Sequence, residues 1–309
     1  MRAFLHGFGM HVPERVVTNA EIAARVDRTP EWIEGASGIR ERRWAAAETS
    51  VADLAIAAAE DCLARKGVTA ASLGMIILAS GSARPGFPGP AAEVAARLGL
   101  ESTPAMDVPM ASAGGLFGMA MAAQMAAHFG DVLVIGAEKM SAVIESGELD
   151  PNTAILFGDG AGAALVSARP GPWEILDAVL HSDGQYRDSL AFDWSAPLRM
   201  NGLSVILQAA RKLPSSIEEV LARQKLAASE VEVFLLHQAN QNLLLRVAKS
   251  LGVPTGRVYS NVARYGNTSS ASMLIAAAEW SQANPAVGPV VFSAFGAGFH
   301  WGALLAHAV

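Results

Sequence analysis

Ala71-Ser72-Leu73-Gly74-Met75-Ile76-Ile77-Leu78, followed by Val94-Ala95-Ala96-Arg97-Leu98-Gly99-Leu100, has an echo later in the chain. The echo is Ala228-Ser229-Glu230-Val231-Glu232-Val233-Phe234-Leu235-Leu236, followed by Val247-Ala248-Lys249-Ser250-Leu251-Gly252-Val253. Each copy joins a short apolar run of strand type to a helical segment that stops at Leu-Gly. Phe157-Gly158-Asp159-Gly160-Ala161-Gly162 has its own counterpart in Phe295-Gly296-Ala297-Gly298. A duplicated α/β unit accounts for both, with halves 1–168 and 173–309 joined near Ala168-Arg169-Pro170-Gly171-Pro172. Met75–Leu78, Val132–Ile135, Val233–Leu236 and Val290–Phe292 read as buried strands, alternating with helical signals as an α/β fold requires. Helices are expected to start at Asn19 and at Thr29-Pro30.

Between the two copies lies Asp107-Val108-Pro109-Met110-Ala111-Ser112-Ala113-Gly114-Gly115, leading into an apolar helical stretch, Leu116 to Phe129. A reactive side chain at a tight turn before a buried helix is how a fold presents a nucleophile, with helix N–H groups facing the developing negative charge. Ser112 and Asn267 fall at similar distances after the two Leu-Gly pairs. If the halves pair pseudo-symmetrically, Ser112, His237, Asn267 and the glycine loop Gly296 to Gly298 converge between them.

Composition narrows the possibilities. The 309 residues are 51% hydrophobic and only 17% charged, which suits a thick layered interior or a large oligomer interface. No apolar run reaches membrane-spanning length, and the N-terminus is too quickly broken for a secretory signal. A net charge of −6 without a long Lys/Arg run argues against nucleic acid and anionic membranes as partners. The single cysteine, Cys62, fits a reducing cytoplasm, and its helical face with Val51, Leu54, Ala55 and Ala58 makes it a buried small hydrophobe. The histidines His6, His11, His128, His181, His300 and His307 show no metal-ligand spacing and are expected to be structural or solvated; no metal and no resident cofactor is expected.

Several further motifs occur in order along the chain. They are Pro13-Glu14-Arg15-Val16-Val17-Thr18-Asn19, Glu31-Trp32-Ile33, Gly38-Ile39-Arg40-Glu41-Arg42, Phe157 to Ala163, His237-Gln238-Ala239-Asn240, Gly266-Asn267-Thr268-Ser269 and Phe295 to Gly302. In this combination the chain resembles the thiolase-fold condensing enzymes, specifically beta-ketoacyl-acyl-carrier-protein synthase III and its relatives. The resemblance implies a five-layered αβαβα fold and decarboxylative condensation of an acyl thioester with a malonyl thioester, the thioesters being carried on coenzyme A or acyl carrier protein. It places the acyl-accepting nucleophile at Ser112, where the family normally has cysteine. His237 and Asn267 match the pair that binds the second thioester carbonyl, and the N–H groups of Ser112 and Gly298 the oxyanion hole. Trp32, Phe87, Phe157, Met200, Gly202, Ala239 and Asn240 match substrate-binding positions. Phe87, in Arg84-Pro85-Gly86-Phe87-Pro88-Gly89-Pro90, would reach across a homodimer interface into the neighbour's acyl pocket.

Three departures from the pattern stand out. A hydroxyl, unlike a thiol of pKa near 8.5, needs a general base such as His237. Ser112 therefore belongs to a serine relative, to a cysteine-to-serine variant, or to a protein without covalent chemistry. The alternatives to condensation are acyl transfer through Ser112 to an alcohol or amine, and a non-catalytic partner subunit. At the positions where the family grips coenzyme A with basic residues stand Ala36, Pro151 and Asn242, although Trp32 remains. The segment Gln185 to Leu198 is also short. Arg246, Lys249 and Arg257 could form part of an acidic carrier's docking surface or simply a solvated helix face.

Overall fold

The computed structural model describes residues 2–147 and 149–309. Nine strands form its main sheet: β1 (Ala3–His11), β4 (Leu73–Ala79), β5 (Ala105–Val108), β6 (Asp131–Lys139), β7 (Asp159–Ser167), β8 (Trp173–Ser182), β11 (Val233–Leu236), β12 (Pro289–Gly296) and β13 (His300–Ala308). The short strands β2 (Val16–Thr18) and β3 (Glu41–Arg43) pair with each other, as do β9 (Leu190–Asp193) and β10 (Ala196–Met200).

The main sheet runs β11-β12-β13-β8-β1-β7-β6-β4-β5. It divides at a short seam where Ala3–Leu5 of β1 meets Trp173–Ile175 of β8. On one side β4 lies parallel to β5 and β6, and β7 runs antiparallel to β6 and β1. On the other side β11 lies parallel to β12, and β13 runs antiparallel to β12 and β8. The place of β5 is taken there by one parallel bridge, Phe234 to Val258. The two strand sets thus share one order. The Phe157–Gly162 and Phe295–Gly298 segments, matched on sequence, are not equivalent in this order. The first enters the last strand of its set, whereas the second leaves the penultimate strand, β12.

Strand residues alternate between two apolar layers, which is why these runs are continuously hydrophobic. Ile77 and Val134 point to a central core shared with Leu235 and Phe292 of the other strand set. Ile76, Leu78, Leu133 and Ile135 point outward, to the helix Val51–Lys66 with its fully buried Cys62. Phe234, Leu236 and Val291 point outward on the opposite side, to Leu213 and Ile217 of the helix Gly202–Arg223. The helices Gly114–Phe129 and Ser272–Ala283 fill the central layer. Both are apolar over most of their surface, as helices packed between the two strand sets must be, with Gln124, His128, Glu279 and Gln282 toward their C-terminal ends.

Helix starts follow local chemistry. Thr29 caps the helix Pro30–Ser37 with proline in its first turn, as expected. The first helix, Asn19–Val26, is capped by Thr18 in a capping box with Glu21, so Asn19 is its first helical residue and not its cap. The Asn19 side chain instead donates to Ile39 O and accepts from the buried Arg42, at 2.7 and 2.8 Å.

Candidate active site

Ser112 lies at the turn between β5 and the central helix Gly114–Phe129, with φ of 63°. A side chain held in this left-handed region costs roughly 1–3 kcal/mol, which surrounding contacts must offset. Those contacts come from β12: a β carbon on Gly296 would lie 2.2 Å from Ala111 O and 3.0 Å from the Ser112 Cβ. Only glycine allows the strand to press so closely on the turn.

Asn267 is placed by a junction with the segment that leads into β7. Its N–H donates to Leu156 O at 2.8 Å, and its own carbonyl accepts from Gly158 N–H at 3.1 Å. His237 follows the end of β11, where its N–H donates to Ser293 O of β12 at 2.9 Å. The next residue, Gln238, locks this corner by donating to Leu236 O and Tyr259 O and accepting from Asn261 N–H. Ser112, His237 and Asn267 are 8%, 5% and 6% exposed. At so low an exposure each polar atom needs a partner.

The partners come from the buried segment 268–272. The Ser112 N–H donates to Ser269 Oγ at 2.9 Å, and the Ser269 N–H donates to Asn267 Oδ1 at 2.9 Å. His237 Nδ1 lies 2.5 Å from Ser272 Oγ, which also accepts from the Gln238 N–H. Burial pushes the His237 pKa down to about 4, against a smaller opposing pull from the Ser269 backbone. The ring is therefore neutral at pH 7. When the Ser272 hydroxyl donates to Nδ1, the ring proton sits on Nε2 and can be donated to a ligand oxygen. The same burial makes His237 a weak proton acceptor, contrary to the role of base for Ser112 that its sequence position suggested.

Two cavities meet at Ser112. The first is lined by Ser112, His237 and Asn267 together with Phe157, Met200, Gly202, Ala239 and Asn240. The second runs from Ser112, Ser269, Ala297 and Gly298 to His300, with apolar walls that include Met140, Val143 and Phe192. Phe157 and Leu190 line both.

Trp32 and Phe87 line neither. Trp32 is 40% exposed beneath the Arg28 guanidinium, and Phe87 is 99% exposed. The Ser112 N–H, expected in an oxyanion hole, is engaged by the Ser269 hydroxyl and becomes available only if that hydroxyl turns away. Arg257 donates to Ser229 O and Val231 O at 2.7 and 2.6 Å, so it pins a turn and does not offer a free docking charge. His300, expected to be structural or solvated, lines the same cavity as Ser112.

Sequence reasoning passed over Ser269 and Ser272. A signal was present: four hydroxyl residues in Thr268-Ser269-Ser270-Ala271-Ser272 open an apolar helix, and all four are buried. Buried hydroxyls in such a setting need partners, and two of these bond to residues of the site.

A family model described as 3-oxoacyl-[acyl-carrier-protein (ACP)] synthase III matches residues 106–184, and one described as its C terminal matches residues 221–308. The chain is 36% identical over 326 residues to the beta-ketoacyl-[acyl-carrier-protein] synthase III of Oleidesulfovibrio alaskensis, covering 98% of each chain. The crystal structure of 3-oxoacyl-[acyl-carrier-protein] synthase III from Aquifex aeolicus VF5 superposes with a TM-score of 0.94 at 32% identity, over 99% of each chain. The priming beta-ketosynthase from the R1128 polyketide biosynthetic pathway superposes with a TM-score of 0.90 at 30% identity, over 99% of this chain and 96% of that one.

Proposed function

The chain belongs to the 3-oxoacyl-[acyl-carrier-protein] synthase III family of thiolase-fold condensing enzymes, and we propose that in its acyltransferase chemistry Ser112 occupies the nucleophile position. The observation that carries this is the convergence of Ser112, His237 and Asn267, from three distant parts of the chain, on one buried cavity.

In the first half-reaction Ser112 Oγ bonds to the carbonyl carbon of an acyl thioester as the C–S bond breaks. The apolar second cavity would hold the acyl group, with the N–H of Gly298 beside the carbonyl oxygen. In the second, the carbonyl oxygen of a malonyl thioester accepts from His237 and from the Asn267 amide. The malonyl group loses CO2, and the enolate carbon attacks the acyl-serine ester; the new C–C bond forms as the ester C–O bond breaks, and Ser112 Oγ leaves and takes up a proton. Phe157, Met200, Gly202, Ala239 and Asn240 would line the thioester's path. A second route is transfer from Ser112 to an alcohol or amine that enters along the His237 side once the thiol has left, the acyl group staying in the second cavity.

We take acyl carrier protein as the preferred donor over free coenzyme A. Where the family grips the nucleotide, the Ala36 carbonyl accepts from the amides of Asn240 and Asn242, both at 3.1 Å, forming a neutral latch without phosphate-binding cations. Pro151 begins a short helix and adds no charge. Trp32 remains for adenine but already carries Arg28 on its ring. Intact-mass analysis after mixing with acyl carrier protein and coenzyme A thioesters of matched chain length tests this. Acyl loading should saturate at lower concentration with the carrier. Equal loading from both, or a better response to coenzyme A, would refute the preference. Adding a malonyl thioester or an amine to the loaded protein then separates condensation from simple transfer.

We further propose a homodimer of subunits, each built of duplicated halves, 1–168 and 173–309. The shared strand order supports the halves. The fully exposed Phe87 and the unpaired edge of β5 support the dimer, because both leave apolar or hydrogen-bonding surface uncovered. The base of the Phe87 loop is anchored, with Trp194 donating to Ala83 O and stacking under Arg84. Light scattering at micromolar concentration should give twice the chain mass; a monomer would contradict the proposal. No helix among the described residues is long and apolar enough to cross a membrane.

A further inference from the structure

Ser112 has a second imidazole near it. His300 opens β13 directly opposite Gly296 of β12, so both point to the same face of the sheet. That face carries Ser112, because a β carbon on Gly296 would lie 3.0 Å from the Ser112 Cβ. Opposed β carbons are about 4.5–5.5 Å apart, which puts the His300 Cβ no more than about 8.5 Å from that of Ser112. An imidazole, a hydroxyl and at most one water bridge such a span.

The ring is held in place. Its Nδ1 lies 2.7 Å from Ser182 Oγ on the neighbouring β8. Its face meets Phe117 of the central helix edge-on at 5.8 Å. Its Nε2 lies over Gly298, at 2.4 Å from where a β carbon would stand. With Nδ1 tied to Ser182, Nε2 is the atom left for the cavity that His300 shares with Ser112 and Gly298.

We propose that His300 is the proton acceptor for Ser112, an inference that rests on Ser112 being the nucleophile. As the Oγ–C bond forms and the thioester C–S bond breaks, the hydroxyl proton passes to His300 Nε2, directly or through one water. The thiolate leaves along the His237 side and takes its proton from solvent. His300 returns its own proton to solvent past the exposed Ser182. One proton is released and one taken up, so the step balances without a further reactant.

The two imidazoles then divide the work. His237, fully enclosed and pushed down to about 4, serves as a neutral hydrogen-bond donor. His300 is only partly enclosed; burial lowers its pKa, and no charged partner acts on it. Titratable groups whose environments differ in this way take different acid–base roles. Of the charged groups nearby, Asp183 beside Ser182 is held by Lys212 at 3.4 Å, and Glu138 accepts from Ser270 N–H behind the Ser112 turn.

The test is single-turnover acyl loading, followed by intact mass from pH 5 to 9, with acetyl, butyryl and hexanoyl N-acetylcysteamine thioesters. The proteins are the full chain, His300→Gln, Ser112→Cys and the double variant, with His300→Asn as a second replacement if the glutamine form folds poorly. Glutamine can keep the bond to Ser182 but cannot take the proton. His300→Gln should load Ser112 at least about 100-fold more slowly at pH 7, the usual size of a general-base contribution. Its rate should climb steadily with pH, whereas the unmodified protein reaches a plateau. In the Ser112→Cys background the loss should shrink below about tenfold, because a thiol ionises unaided. Equal losses in the two backgrounds would mean that His300 merely supports Gly298 and would overturn the proposal, as would unchanged loading of Ser112. If Ser112 never loads while Ser112→Cys does, the serine nucleophile itself is wrong and the role of His300 falls with it.

Discussion

Ser112→Ala should abolish acyl loading, and Ser112→Cys should load acyl groups at least as well as the serine form. The alanine form keeps the turn and the Ser112-position N–H bond to Ser269 but has no atom able to form the ester. The cysteine form places a partly ionised, intrinsically stronger nucleophile in the same surroundings. Intact mass after incubation with an acyl thioester reads both outcomes. A gain of several orders of magnitude on Ser112→Cys would identify the serine as a silenced cysteine site; comparable loading would identify a serine enzyme. Decarboxylation of a malonyl thioester should persist in all three forms, since in the proposed reaction His237 and Asn267, not residue 112, bind the enolate oxygen. If no form loads a thioester and decarboxylation is also absent, a partner-subunit role replaces catalysis.

The second large effect belongs to that pair. His237→Ala and Asn267→Ala should each slow malonyl decarboxylation by about 10²–10³-fold, the cost of removing one preorganised donor from a developing oxyanion. Release of labelled CO2 measures it, and losses under tenfold would remove the pair from the proposed site. The pH dependence has a definite sign. The folded-state pKa of His237 lies at about 4 against an ordinary value of 6.5, so the fold favours the neutral ring. The stability this contributes is complete above pH 6.5 and is lost as pH falls toward 4, because only the unfolded chain takes up the proton there. Decarboxylation should accordingly show no loss from His237 protonation between pH 5 and 8. His237→Asn, which removes the titration, should flatten the fall in melting temperature between pH 6.5 and 4.

Particular residues show what could be read in advance. The runs Met75–Leu78 and Val233–Leu236, with their trailing Leu-Gly segments, report strand and helix through their own periodicity, and β4 and β11 lie where those runs stand. The turn around Ser112 is legible as a turn, from small residues before an apolar helix, but its left-handed φ depends on the contacts β12 makes with it. Other features had no local signature. Ser269 sits beside Asn267 in sequence, yet its hydroxyl bonds to a backbone 157 residues away. Asn267 was legible as a motif residue, but its station opposite Phe157 depends on a bridge between two loops distant in sequence.

The amino-acid sequence by itself determined the duplicated strand and helix pattern, the family, and the identity of Ser112, His237 and Asn267, because each lies in a contiguous segment whose chemistry is complete within a few residues. Tertiary structure alone decided that the Ser112 N–H meets Ser269, that Arg257 is tied to carbonyls, and that His300 shares a cavity with Ser112. These meetings depend on how closely β12 presses on the Ser112 turn and how β13 sits beside it, and so on the packing of two strand sets against shared central helices. Periodicity along the chain specifies which face of an element is apolar. It carries no measure of which distant face will cover it.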